Sequence, residues 1–164
     1  MANDSEPLEA ARSVGALLAP VVACLRGDRE GLRVLLASAH EEGSVAGVVR
    51  AAPAVARVYL RLAPPPDGAG HIVADFPDAA LERFHRAELV ELGLECLHVA
   101  RVAEPVEAIA RSVFVHDALE HGEDVALAGA VVTCWWCAAE SARMRAVDPI
   151  EEAAAICRYT ARVA

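Results

Sequence analysis

The stretch Arg111-Ser-Val-Phe-Val-His-Asp-Ala-Leu-Glu-His-Gly-Glu-Asp124 runs directly into Val125–Ala139, an almost wholly apolar segment that carries Cys134-Trp-Trp-Cys137. The first part reads as the end of a helix, with Gly122 positioned to stop it. The second shows no polar stripe at any period, as expected of a helix buried on all sides. A core helix preceded by a helix rich in titratable residues decides the fold class, because helical periodicity recurs in both directions from it and strand-like alternation does not.

Working outward, the spacing predicts helices over residues 105–121, 124–147 and a last one opening at Asp148-Pro149-Ile150-Glu151. That opening combines an N-cap, a first-position proline and an acid three residues on. Ile150, Ala154, Cys157 and Ala161 form its expected inner face. Upstream, a long amphipathic helix is predicted over residues 78–102, with Leu81, Phe84, Leu89, Leu92, Cys96, Val99 and Val102 inward. Before it, Pro64-Pro65-Pro66-Asp67-Gly68 cannot be helical. Three further helices precede this break: one from Ser5 toward Arg26, with Pro20 expected to kink it; one over residues 28–42; and one from Ser44 through Leu62, with Arg50, Arg57 and Arg61 along its outer face. The expected fold is an all-α helical bundle of about six to seven helices with a Pro/Gly-rich loop near the middle. Residues 1–62 form an N-terminal helical segment, 63–77 the loop or linker, and 78–164 a C-terminal four-helix segment, all expected to make one compact domain.

The composition narrows the function classes. In 164 residues the hydrophobic fraction is 55% and the aromatic fraction 4%, so the core is built mainly of Ala, Val and Leu. All 15 basic residues are arginine, which points to a GC-rich coding sequence such as that of an actinobacterium or its phage. A formal net charge of −9 disfavours nucleic acid and anionic membrane as partners. Five widely spaced cysteines behind an acidic start suit reduced thiols in the cytoplasm. The Val125–Ala139 run falls short of the roughly 20 residues that span a bilayer.

The candidate site residues come from the helical wheel. On residues 105–121 the apolar arc holds Ala108, Ile109, Val113, Val115 and Leu119, and His116 and Glu120 fall inside it. Asp117 and His121 lie on its shoulder. On residues 78–102, His85, Glu88 and Glu95 share the apolar arc. If these helices face each other, His85, Glu88, Glu95, His116 and Glu120 meet in one cluster, either a hydrogen-bonded ion network or a His/carboxylate metal site. Glu82-x-x-His85 and Glu95-x-x-His98 are about 220° apart on one helix and cannot line a single centre.

Two short resemblances bear on these residues. Asp117-Ala-Leu-Glu-His121-Gly-Glu-Asp-Val resembles the carboxylate-x3-His stretch of the DinB-like four-helix family, which includes mycothiol-dependent isomerases. That resemblance implies a divalent metal held by Asp117 and His121, with His40 or His85 as the further ligand. Arg111-x4-His116, with Ser112 as the polar residue after the arginine, is similar to the signature of HEPN ribonucleases. It implies His116 as the proton-transfer group and Arg111 as the catalytic cation at a phosphodiester. Cys134-Trp-Trp-Cys137 has no preceding strand and no second cysteine pair, so it reads as core packing rather than a redox or zinc motif.

The leading expectation is a non-catalytic cytoplasmic protein that works by association, as a homo-oligomer or with a protein partner, and needs no cofactor. The alternatives are a metal-dependent helical-bundle enzyme and an Arg111/His116 ribonuclease.

Overall fold

The computed structural model describes residues 5–63 and 86–163. Among these residues the chain forms seven helices and no strand: α1 Ser5–Arg26, α2 Arg29–Glu41, α3 Val45–Leu62, α4 Arg86–Arg101, α5 Val106–Glu120, α6 Glu123–Arg145 and α7 Pro149–Val163. The all-α bundle predicted from periodicity is the observed architecture. The Pro/Gly-rich stretch after Ala63, the start of the fourth predicted helix and His85 lie outside the described residues.

The helix boundaries follow local chemistry. Asp28 caps α2 by accepting a hydrogen bond from the Gly31 amide at 2.9 Å. Asp148 caps α7 in the same way, accepting from the Ile150 amide at 2.8 Å. Gly122 joins α5 to α6 at φ +105°, a conformation that side chains oppose, so the sharp turn between these helices requires glycine there. Both internal prolines, Pro20 in α1 and Pro53 in α3, are accommodated within continuous helices.

Helix α6 is the centre of the bundle. Every residue from Ala126 to Cys134 is buried, and each of the other six helices touches α6. Its one hydroxyl in that stretch, on Thr133, donates back to the Gly129 carbonyl at 2.7 Å, which satisfies it inside the helix. Around α6 a single cluster of buried apolar side chains takes residues from all seven helices, on both sides of the Pro/Gly-rich loop. Leu17, Val21, Leu32, Val48, Leu92 and Leu127 are among its fully covered members.

Among the described residues, length and composition make two helices apolar enough to cross a membrane, α1 over Pro7–Arg26 and α6 over Glu123–Arg145. The helical segment of α6 therefore extends beyond the short run read from sequence. Within the bundle the most apolar window of α6 is 72% buried against protein, that of α1 only 39%.

Three inward faces differ from expectation. Among the described side chains of α7 the buried ones are Ala153 and Ile156, while Ala154 is exposed, Ile150 and Cys157 are half-buried, and the side chain of Ala161 lies outside the description. On α3, Arg57 leaves the solvated arginine stripe and turns inward. The largest difference is on α5.

Candidate functional site

Helix α5 is rotated relative to the arc read from its sequence. Its buried residues are Glu107, Phe114, Val115 and Ala118. Val106, Ile109 and Val113 face outward, 58%, 70% and 53% exposed. His116 and Glu120 also point to solvent, their side chains 74% and 69% exposed, and pair with each other at 3.3 Å. The expectation that His116 and Glu120 lie in the buried arc is thus corrected. Apolar residues surround α5, so its sequence left the rotation open; of the expected arc Val115 is buried, and Phe114 takes the core position in place of Ile109 and Val113. The five outward residues follow the i, i+3, i+7, i+10, i+14 spacing, an arc of about 80° on the helix.

The expected five-residue cluster is accordingly divided. On the outer side, His116, Asp117 and Glu120 hold their ligand-type atoms within 4.8 Å of one another, all from one turn of α5. On the inner side, His121 turns toward α4, its Nδ1 3.8 Å from Glu88 Oε1. Glu95, one α4 stretch further along, is half-buried. Burial raises its carboxyl above the ordinary range, the negative charges of Asp117 and Glu91 raise it further, and His121 opposes them. Glu88, Glu91, Glu95, Asp117 and His121 therefore form one electrostatic neighbourhood along the α4–α5 seam. His40, a candidate third ligand, instead pairs with the first turn of α6, 3.0 Å from Glu123 and 3.9 Å from Asp124. His85 lies outside the described residues.

Arg111 and His116 point about 140° apart on α5. Arg111 reaches back one turn to Glu107 at 3.6 Å. Glu107 is 4% exposed, a buried acid that the sequence reading missed, although its i, i+4 spacing to Arg111 was the available signal. The Arg111 Nε is buried without a hydrogen-bond partner. The arrangement makes Arg111 the counter-ion of a core carboxylate.

The cysteines behave as small core residues. Cys96, Cys134 and Cys137 are buried and unpaired, and burial pushes the Cys137 thiol up to about 12 and the other two well above the ordinary thiol range. Such thiols are poor nucleophiles. Cys134 Sγ lies 3.7 Å from the Ala52 carbonyl, a weak contact across the α3–α6 interface. Trp135 and Trp136 are both half-buried against the core.

Comparison with family models, with curated proteins and with solved structures gives no match for this chain. The resemblances at Asp117/His121 and Arg111/His116 thus rest on those short stretches alone.

Proposed function

We propose that this chain is a non-catalytic helical assembly protein that pairs with a second copy of itself through the outer face of α5. The observation that carries the reading is the exposed stripe Val106, Ile109 and Val113, three β-branched residues at the spacing of a helix–helix seam. Solvated apolar side chains in such a row gain by being covered. A second copy fits because the stripe can meet itself. In an antiparallel pairing, Val106 of each copy lies opposite Val113 of the other, with the two Ile109 side chains at the centre. His116 of each copy then falls beside the Ala103–Glu104 turn of the other, where its imidazole meets an acid. One 15-residue helix per copy makes a contact at the small end of specific interfaces, so the pairing is expected in the micromolar range. A reducing, cytoplasmic setting suits Cys96, Cys134 and Cys137, which are buried in the core as thiols.

Sedimentation equilibrium across the micromolar range tests this. The native chain should follow a monomer–dimer isotherm, and Ile109→Glu should sediment as a monomer with unchanged helix content. A native chain that stays monomeric throughout, or an Ile109→Glu variant that dimerises as well as the native chain, would rule the reading out.

The His116/Asp117/Glu120 grouping favours a second reading, an open divalent-metal site on the same helix. Calorimetric titration with zinc decides it: saturable binding lost in both Glu120→Gln and Asp117→Asn supports a site, and heat that is absent or unchanged in those variants removes it.

A further inference from the structure

The outward arc of α5 continues past its apolar residues. Val106, Ile109 and Val113 lead on, within one further turn, to the exposed pair His116 and Glu120. His116 Nε2 and Glu120 Oε1 stand 3.3 Å apart, and Asp117 brings a carboxylate oxygen within 4.8 Å of both. Zinc bonds to imidazole and carboxylate measure about 2.0–2.2 Å, so neighbouring ligand atoms of a tetrahedral site lie about 3.4 Å apart. The His116–Glu120 pair already has that spacing. Both side chains face solvent, so an ion reaches them without opening the bundle.

One turn of helix offers three ligands, and a closed zinc site takes four. A second copy paired antiparallel through α5 brings the fourth. With the two Ile109 side chains at the centre, His116 lies about 10.5 Å along the seam at 1.5 Å per residue. Glu104 of the second copy, running the other way, lies about 7.5 Å from the same centre and on the same side. It is exposed, just ahead of the first residue of α5, and the remaining offset is within the reach of its side chain.

Charge selects a cation at this place. In the pairing, the carboxylates of Asp117 and Glu120 face the second copy's Glu104 across one imidazole, and like charges brought together at an interface cost affinity. A divalent ion turns that repulsion into attraction. The imidazole favours zinc over magnesium and calcium, which take oxygen ligands.

On the basis of the α5 pairing proposed above, we infer that a zinc ion clasps each end of the seam, held by His116, Asp117 and Glu120 of one copy and Glu104 of the other. Association of this chain is then under the control of zinc, since ion binding and pairing strengthen each other by the same factor.

Sedimentation equilibrium of the full chain, in EDTA and in a slight molar excess of zinc chloride, tests this. Zinc should tighten the native dimer about tenfold or more. His116→Ala and Glu104→Gln alter exposed side chains and leave the apolar stripe intact, so each should pair much as the native chain does in EDTA and gain less than about twofold from zinc. Ile109→Glu should stay monomeric in both conditions. A dimer whose strength is the same with and without zinc leaves the pairing standing and overturns the clasp alone. Zinc tightening that persists in His116→Ala or Glu104→Gln, or that joins Ile109→Glu as well as the native chain, also overturns the clasp, because the ion then acts elsewhere. A native chain monomeric in EDTA and in zinc alike removes the pairing and the clasp together.

Discussion

The guanidinium of Arg57 donates from Nη2 to the carbonyl of Val102 at 2.7 Å, spanning 45 positions of sequence. The same side chain donates from Nε to Ala100 at 2.9 Å, and Nη2 also lies 3.4 Å from the Val99 carbonyl. These are carbonyls at the end of α4, where the helix runs out of amides and carries partial negative charge, although the Val99 carbonyl still accepts from the Val102 amide at 3.1 Å. Arg57 thus caps one helix from the side of another. Arg57→Ala should cost about 2 kcal/mol, the worth of hydrogen bonds made by a charged donor. Arg57→Lys, with no planar fork, should recover only part of it. Thermal unfolding of the two variants checks this, and an Arg57→Ala midpoint equal to the native one would show that the cap contributes nothing.

The Glu107–Arg111 pair predicts unequal effects for two residues that a catalytic reading would treat alike. Arg111→Ala leaves a buried carboxylate without its cation. Removing one partner of a fully buried pair costs several kcal/mol, and with Arg111 about a third exposed the loss should be about 2 kcal/mol. His116→Ala removes only a solvated pair and should change stability by less than about 0.5 kcal/mol. Urea unfolding of both variants separates the roles. Equal, small effects would return Arg111 to the surface.

Glu95 sets a pH dependence with a definite sign. Its carboxyl is raised in the folded chain, chiefly by burial. The folded state therefore holds this proton more tightly than the unfolded state does. That contribution is complete below the ordinary carboxylate value and is lost as pH rises through the raised one. Glu95→Gln should be more stable than the native chain at neutral pH, and the difference should vanish in acid. Melting curves from acid to neutral pH test it. A difference that is the same at every pH would assign the effect to packing.

Two glycine substitutions should move stability in opposite directions. A methyl group at Gly15 in α1 would have nothing within 4 Å, so Gly15→Ala gains helix propensity and restricts the unfolded chain, about 1 kcal/mol of stabilisation. At Gly129 the added carbon would stand 3.0 Å from Leu92 Cδ1 and 3.1 Å from Leu92 Cβ. Overpacking there costs about 1–3 kcal/mol, which outweighs the same propensity gain. Calorimetric midpoints should rise for the first variant and fall for the second. A rise in both would mean that α4 and α6 can move apart freely.

The parts of this architecture carried by local chemistry were legible in the sequence. Gly122 marks the α5–α6 turn, Asp28 and Asp148 cap their helices, and the unbroken apolar run of α6 identifies the core helix. The inner face of α4 at Leu89, Leu92, Cys96 and Val99 was legible too, because charged residues flank it. The face of α5 was not. Val106, Ile109, Val113, Phe114 and Val115 surround that helix, so hydrophobicity alone leaves its rotation open. A buried Glu107 and an inward Arg57 run against composition and become readable only from their partners, Arg111 and the end of α4. Glu152 sits in the first turn of α7, where an acid ordinarily serves the helix end, so nothing local marked it as a buried group.

The placement of α6 has a consequence for biosynthesis. The helix on which all the others pack is the sixth of the seven described helices to leave the ribosome. The five made before it carry apolar faces cut for a neighbour that does not yet exist. A nascent chain arrested before Glu123 should therefore be digested by protease like unfolded polypeptide and bind chaperones, while release of the full chain should confer resistance in a single late step.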